Sequence, residues 1–157
     1  MKGCAATDGD AGACVFCCAL TAVDGPDNWI VRREPLAFVI LNIYPYNSGH
    51  VMVCPTRHVQ ALSDLTPEEG AALFSLSART VDLLRGALHA DSVNLGANLG
   101  RSAGGSIDHL HVHAVPRWPG DTNFMPIVAD TKVLVMTLSD TWTRLREAFA
   151  AADGPPA

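Results

Sequence analysis

The feature that most constrains this fold is a run in which three histidines alternate with single apolar residues. His109, His111 and His113 form this run, and Pro116 follows it. A period of two is typical of a β-strand with one apolar face, and it places the three imidazoles together on the other face. Alternate residues of a strand lie roughly 6.5 Å apart. The outer pair is separated by about twice that distance, so we do not expect all three to bind one metal ion. Because proline lacks a backbone donor, we expect Pro116 to end the strand.

A glycine-rich turn leads directly into the histidine run. Gly104, Gly105 and Ser106 offer backbone N–H groups and a hydroxyl, and such a turn can form an anion-binding concavity. A neutral imidazole is a competent nucleophile near pH 7. Solvent-facing or core histidines are the alternative, which fits one isolated histidine better than three at alternate positions. The pattern therefore favours phosphate chemistry.

The composition limits the class of protein and its partners. The chain has 157 residues, of which 48% are hydrophobic and 17% charged, which is typical of one globular domain. The net charge is −5 and the longest basic run is Arg32-Arg33, so we expect no binding to nucleic acid or to an anionic membrane. A nucleotide ligand remains compatible with this net charge, because a small phosphate site needs only local hydrogen-bond donors.

The N-terminal part and the cysteines bear on localisation. No apolar run approaches the roughly 20 residues of a membrane span. The segment 11–23 is apolar enough to raise the question of a signal peptide, but Asp8 and Asp10 stand where positive charge is expected. The five cysteines are odd in number and do not resemble a disulfide framework, which favours a reducing compartment. We therefore predict a cytoplasmic protein.

A Cys-x-x-Cys pair stands near the beginning of the ordered chain. Cys14 and Cys17 could be half of a zinc site, a redox pair, or two thiols in a short helical turn. A zinc site needs two further ligands, and His58 and His109 are candidates.

The secondary-structure pattern predicts an α+β fold. We expect strands at 29–33, 36–41, 51–54 and 92–97, besides the histidine strand. Thr66, Pro67 and Glu69 predict a capped helix start, followed by apolar residues at helical spacing. A second helix is predicted at 137–151. His89 is interpreted as a partner of the helix end or a surface residue. We expect a flexible tail at 1–13, one domain at 14–151 and disorder at 152–157.

The run from His109 to Val115 resembles the His-φ-His-φ-His-φ-φ signature of the histidine triad (HIT) superfamily. The segment from Ile40 to Pro55 also resembles the first long strand, turn and second strand of that superfamily, and Asn98 falls where it places a phosphate-pocket asparagine. The resemblance covers roughly 14–118. It implies an antiparallel sheet with one long helix and a C-terminal helix, and a homodimer formed through the long helix and the sheet edge. It also implies that the ligand is a nucleotide or dinucleoside polyphosphate.

The resemblance also implies roles for single residues. His111 would attack the α-phosphorus and form a nucleotidyl-histidine intermediate, with its second ring nitrogen donating to a backbone carbonyl. His109 and His113 would flank it, His50 would lie in an outer position, and no catalytic metal would be required. The implied substrate-binding residues are Asn42, Asn98, Gly105, Ser106 and His113. Leu41, Ile43 and Phe38 could line a base pocket, although core packing is favoured for Phe38.

The arrangement of cysteines and histidines in this chain resembles that of many bacterial members. These carry an N-terminal Cys-x-x-Cys, a histidine after the second strand and the first triad histidine. This likeness implies a tetrahedral structural zinc site made by Cys14, Cys17, His58 and His109.

One departure concerns the acceptor of the reaction. Many hydrolases of the superfamily carry glutamine where this chain has Gly105, and its loss would leave room for a phosphate ion. The motif Arg117-Trp118-x-Gly120-Asp121-x-Asn123-Phe124 resembles dinucleoside tetraphosphate phosphorylases of actinobacterial type. We therefore expect cleavage of dinucleoside polyphosphates, with inorganic phosphate as a candidate acceptor. The alternatives are hydrolysis of the same substrates or of nucleoside phosphoramidates, and a non-catalytic nucleotide-binding module.

Overall fold

The computed structural model describes residues 14–122, 131 and 135–154. The tail predicted at 1–13 and the last two residues of the phosphorylase-like motif, Asn123 and Phe124, lie outside the described residues. The helices are α1 (Val15–Thr21), α2 (Pro67–Leu88) and α3 (Leu138–Ala152). The strands are β1 (Ile30–Arg33), β2 (Ala37–Leu41), β3 (Val51–Pro55), β4 (Ser92–Gly96) and β5 (Val112–Arg117).

The five strands form one antiparallel sheet in the order β1-β2-β3-β5-β4. Strand β3 pairs with β5 only from Val112 to Ala114, whereas β4 follows β5 along its length to Arg117. With helices on the sheet, this confirms the predicted α+β class.

The histidine strand begins and ends later than its sequence pattern predicts. His109 and His111 precede β5, because the Leu110 N–H donates to the carbonyl of Val59, 2.7 Å away, in the loop after β3. The expectation that Pro116 ends the strand is wrong, since it lies within β5 opposite Val93. The ladder with β3 has already ended at Ala114, so Pro116 pairs with only one neighbouring strand.

The long helix begins where the capping signal places it. The Thr66 hydroxyl accepts a hydrogen bond from the Glu69 N–H (3.2 Å), and the Glu69 carboxylate accepts one from the Thr66 N–H (2.9 Å). Pro67 occupies the first turn, where its missing N–H is not needed. The helix ends at His89, an exposed residue with φ of 52°, which confirms its interpretation as a helix-end residue.

Two apolar clusters lie on the two faces of the sheet. Helices α2 and α3 cover one face, where Val39, Val53 and Leu84 are buried. The short helix α1 covers the other face, where Phe16 packs on Phe38. Phe38 has no exposed surface, which agrees with the core packing favoured for it. The second face carries the histidines.

The C-terminal helix runs one residue beyond the predicted boundary at 151, to Ala152. Asp153 then caps the helix and forms ion pairs with Arg32 and Arg79, so order continues beyond the expected domain end. Residues 155–157 lie outside the described part of the chain. None of the described helices is both long and apolar enough to cross a membrane.

Candidate functional site

His111 is the best-placed nucleophile of the described residues. Its Nδ1 lies 2.6 Å from the carbonyl oxygen of His109, and a carbonyl can only accept, so Nδ1 carries the proton. The neutral ring therefore has its lone pair on Nε2. The side chain is 6% exposed, and it lines a cavity large enough for a ligand. This is the tautomer that a nucleophilic histidine requires.

A chain of hydrogen bonds gives His113 the opposite role. The Tyr46 N–H donates to Nδ1 of His50 (3.0 Å), so the proton of neutral His50 is on Nε2. That N–H donates to Nδ1 of His113, 2.9 Å away, which places the proton of His113 on Nε2. Nδ2 of Asn98 lies 3.4 Å from that nitrogen, and because both groups then carry hydrogens, neither donates to the other and both point donors into the site. His113 therefore offers a donor where His111 offers a lone pair.

The electrostatics favour a neutral imidazole at His113. Burial lowers the pKa of His113, and the neighbouring His111 lowers it further. The rings of His111 and His113 lie 4.8 Å apart at their centroids, close to perpendicular. A neutral His113 keeps the tautomer that the hydrogen-bond chain sets.

His109 contributes to the nucleophile through its backbone. Its ring is 1% exposed, its Nε2 lies 2.9 Å from the Pro55 carbonyl, and its Nδ1 lies 3.4 Å from Sγ of Cys14. Burial lowers its pKa to about 4, so the ring is neutral. Both ring nitrogens are engaged away from the phosphate side, so this ring does not act beside His111.

A cavity of about 310 Å³ lies beside His111, where the resemblance places the base pocket. Asn42 and Ser106 lie in its wall together with Leu41 and Ile43, whereas Phe38 does not. Apolar walls with a few polar groups at one end suit a nucleobase and its sugar phosphate. A second cavity, of about 400 Å³, lies on the other side of His113, and Asn98 belongs to its wall.

The glycine turn differs from its sequence interpretation. The Gly104 N–H donates to the Arg101 carbonyl (3.0 Å) and the Gly105 N–H donates to the Gly100 carbonyl (3.1 Å), so neither is available to a phosphate. A Cβ on Gly105 would lie 2.9 Å from the Asn98 carbonyl oxygen and 3.0 Å from that of Gly100. The expectation of a free N–H at Gly105 is wrong, because the loop 98–100 closes over this residue. A cavity of about 150 Å³ does lie beside Gly105, with Asn98 and His111 in its wall.

Cys14, Cys17, His58 and His109 come together in the structure, as their zinc assignment requires. Their ligand atoms all lie within 4.8 Å of one another, and three sulfur–nitrogen separations are 3.4, 3.5 and 3.7 Å. Tetrahedral zinc, with bonds of about 2.3 Å to sulfur and 2.0 Å to nitrogen, places such atoms roughly 3.5 Å apart. The Pro55 carbonyl accepts from the other nitrogen of His109, which is a usual outer partner of a metal-bound histidine. The four residues fit a tetrahedral zinc ion.

The other described cysteines do not join this cluster. Cys54 is a buried thiol in the β2–β3 ladder. Cys18 is disulfide-bonded, whereas Cys14, Cys17 and Cys54 are free thiols.

Three site residues were missed by the sequence analysis. Phe16 meets the rings of His109 and His111 edge-on, at centroid distances of 5.5 and 5.3 Å. Tyr46 packs its ring against His50 at 4.7 Å and supplies the N–H that fixes its tautomer. Asn47 ties the same turn to β5. The aromatic residue between Pro45 and Asn47 was the available signal for a functional turn.

Comparison with characterised proteins agrees with this geometry. The AP-4-A phosphorylase of Mycobacterium tuberculosis is 46% identical over 113 residues, which are 71% of this chain and 58% of that protein. The chain thus spans little more than half the length of this relative. The asymmetrical bis(5'-nucleosyl)-tetraphosphatase of Schizosaccharomyces pombe is 30% identical over 128 residues, 81% of this chain and 70% of that protein.

Solved structures and family models agree as well. A zinc-bound histidine triad family protein from Mycobacterium smegmatis superposes with a TM-score of 0.73 at 28% identity, covering 90% of this chain and 96% of that one. The HIT domain model matches residues 26–120, which include His50, the glycine turn and all three triad histidines. The chain belongs to the HIT domain family.

Proposed function

We propose that the protein cleaves dinucleoside polyphosphates, such as diadenosine tetraphosphate, at the α-phosphorus through a nucleotidyl-His111 intermediate, with inorganic phosphate as acceptor. The observation that carries this proposal is the 2.6 Å bond from Nδ1 of His111 to the His109 carbonyl. This bond leaves the lone pair of the His111 ring on Nε2, beside a cavity of nucleotide size.

The reaction follows from the tautomers of the two histidines. Nε2 of His111 attacks the α-phosphorus, and the bond to the bridging oxygen breaks, so that the remaining nucleoside polyphosphate leaves as an anion. The His111 ring becomes cationic, and the His109 carbonyl stabilises its Nδ1–H. The Nε2–H of His113 and the amide of Asn98 face the charge that develops on the phosphoryl oxygens. A phosphate oxygen then attacks phosphorus, the P–N bond breaks, and a nucleoside diphosphate is released.

Hydrolysis of the same substrates is the second candidate. The Gly104 and Gly105 N–H groups donate to carbonyls within their own loop, so they cannot bind a phosphate acceptor as the sequence analysis expected. Similarity to the AP-4-A phosphorylase supports phosphate, whereas similarity to the tetraphosphatase supports water.

One experiment tests the activity and separates the acceptors. Diadenosine tetraphosphate is incubated with the protein at increasing phosphate concentration, and nucleotides are separated by chromatography. Phosphorolysis gives ADP and ATP at a rate that rises with phosphate, whereas hydrolysis gives AMP and ATP at any phosphate concentration. Release of AMP alone at millimolar phosphate would overturn the phosphorylase assignment.

The nucleophile is tested by a matched pair of histidine substitutions. His111→Asn is expected to reduce turnover below about 1% of the parent rate, because covalent chemistry is lost. His89→Asn is the control, since this exposed residue adopts a left-handed conformation that asparagine tolerates. Turnover by His111→Asn near that of His89→Asn would contradict the assignment.

We also propose that Cys14, Cys17, His58 and His109 bind a structural zinc ion, and that the chain forms a homodimer. Strand β4 is the exposed sheet edge, and Leu62, Phe74 and Leu95 are exposed around an adjoining apolar cavity. Light scattering on a size-exclusion column tests the dimer, and Phe74→Asp is expected to give a monomer. A cytoplasmic location and the absence of nucleic-acid and membrane partners remain proposals from net charge and the N-terminal sequence.

A further inference from the structure

We propose that Asp121 is a positioning residue that sets the direction of the His50–His113 hydrogen bond, acting through the turn at Asn47. The kinetic part of this inference rests on the proposed function, whereas its spectroscopic part does not. Neither residue lines the nucleotide cavity beside His111, and both line the second cavity, beyond His113.

The Asp121 carboxylate is fixed rigidly to β5. Its side chain is 9% exposed, and it accepts bonds from Nε and Nη2 of Arg117, each 2.6 Å long. The Trp118 N–H is a further donor at 3.2 Å. Arg117 is itself held by Asn94 on β4, at 2.9 Å. A bidentate pair of this kind has a defined geometry, so the position of the carboxylate follows the sheet.

Asn47 joins that carboxylate to the turn before β3. Its amide nitrogen donates one hydrogen to Asp121 (2.8 Å) and one to the Pro116 carbonyl (3.1 Å). Its side-chain oxygen accepts from the Ser48 N–H, and its backbone oxygen accepts from the His50 N–H, both at 3.1 Å. The side-chain nitrogen of Asn47 therefore ties the turn to Pro116 and Asp121, while its two oxygens accept bonds within the turn.

The turn held by Asn47 determines the tautomer of His50. The Tyr46 N–H, one residue before Asn47, donates to Nδ1 of His50 at 3.0 Å. A backbone N–H cannot accept, so this bond gives the His50–His113 pair its direction and leaves the proton of His113 on Nε2. Nδ2 of Asn42, a second group that can only donate, lies farther from the same His50 nitrogen, at 3.4 Å. If the turn moved, the reverse tautomers would become accessible, and His113 would present a lone pair to the phosphoryl oxygens. That lone pair would repel them.

Nitrogen-15 NMR of histidine-labelled protein tests the inference directly. In the parent, His113 is expected to give one tautomer, protonated on Nε2. Asp121→Ala and Asn47→Ala are expected to give a mixture, and the double variant no more than either single variant, because both act through one turn. Asp121→Asn keeps an acceptor for Asn47 and is expected to retain the parent tautomer. Asp153→Asn is the matched control, since it removes a carboxylate bound to two arginines at the far end of α3.

Kinetics supply the second readout. Loss of one oxyanion donor typically lowers kcat by about 10²–10³, so a partial loss of the His113 donor is expected to lower kcat about tenfold in Asp121→Ala and Asn47→Ala. KM should change less than kcat, because the cavity beside His111 that would hold the nucleoside is unchanged, although both residues line the second cavity.

The outcomes separate this inference from the proposed function. A single unchanged His113 tautomer in both alanine variants would overturn the inference, whatever their activity. Mixed tautomers in a protein inactive toward diadenosine tetraphosphate would support the inference and refute the function. If Asp121→Ala does not fold, Asn47→Ala decides by the same spectrum.

Discussion

Zinc removal is expected to lower the thermal stability of this chain, because the four ligands meet only in the folded state. Cys14 and His109 are 95 residues apart in sequence, and Cys17 and His58 are 41 apart. Zinc at the proposed site would therefore bind the native chain in strong preference to the unfolded one. Its loss also releases α1, whose Phe16 packs beside His111.

The magnitude follows from linkage. A ligand present at a hundred times its Kd stabilises the folded state by about 2.7 kcal/mol. In a domain of this size each kcal/mol shifts Tm by roughly 2–4 °C, so chelation should lower Tm by about 5–11 °C. Burial and the neighbouring Cys14 raise the pKa of Cys17 to about 11, so the Cys17 thiol is protonated before the metal enters. We expect metal binding at pH 7 to release this proton.

The assay compares scanning calorimetry of zinc-loaded and chelated protein, together with metal analysis. Cys14→Ser is expected to remove most of the difference in Tm between the two states. Cys54→Ala is the control, because this buried thiol lies outside the cluster; its own Tm falls, but the zinc-dependent difference persists. Protein purified without chelator that contains no zinc, or a Tm that chelation leaves unchanged, would refute the site.

Two further predictions concern the glycine turn and the start of α2. Gly105→Ala is expected to displace the loop 98–100, to lower the free energy of unfolding by about 1–3 kcal/mol and to raise KM. Gly86→Ala is the control: a Cβ there meets nothing within 4 Å, so this variant should be as stable as the parent or more stable. Equal denaturation midpoints and KM values for the two variants would contradict this prediction. The Arg57 guanidinium lowers the pKa of Glu69 from 4.5 to about 2, so the contribution of Glu69 to the free energy of unfolding is complete above about pH 5 and is lost as pH falls towards 2. Glu69→Gln should therefore destabilise at pH 7 and match the parent near pH 2 in urea unfolding; a difference that does not depend on pH would rule out the ion pair as its cause.

The sequence predicted those features that depend on local pattern. The capping residues Thr66 and Glu69 act within one turn, so they located the start of α2 correctly. The alternation of His109, His111 and His113 put three imidazoles on one side of the sheet before any strand boundary was known. The boundary itself was missed because Leu110 bonds to the loop at Val59, 51 residues earlier, instead of to β3.

The rest of the site depends on contacts that a local pattern does not contain. Asn47 and Asp121 are 74 residues apart and meet only because β5 returns beside the turn before β3. The closure over Gly105 is set by how the loop 98–100 folds back, which the composition Gly-Gly-Ser leaves open. The histidines and cysteines selected for their chemistry do come together in the fold. The residues that position them could not be identified from the sequence.

The closure over Gly105 changes where the choice between phosphate and water is made. In a double displacement, the leaving group departs opposite Nε2 of His111, and the acceptor must attack the intermediate along that same line. Both therefore occupy one volume in turn, on the side of the α-phosphorus away from His111. Gly105 faces the carbonyl oxygens of Asn98 and Gly100, which would repel an anion. The cavity of about 400 Å³ beyond His113 offers the side-chain amides of Asn94 and Asn98 instead, while the guanidinium of Arg117 in the same wall is paired with Asp121. If phosphate is the acceptor, its selection is expected at this end of the site, where the residues that hold the leaving polyphosphate also receive the incoming ion.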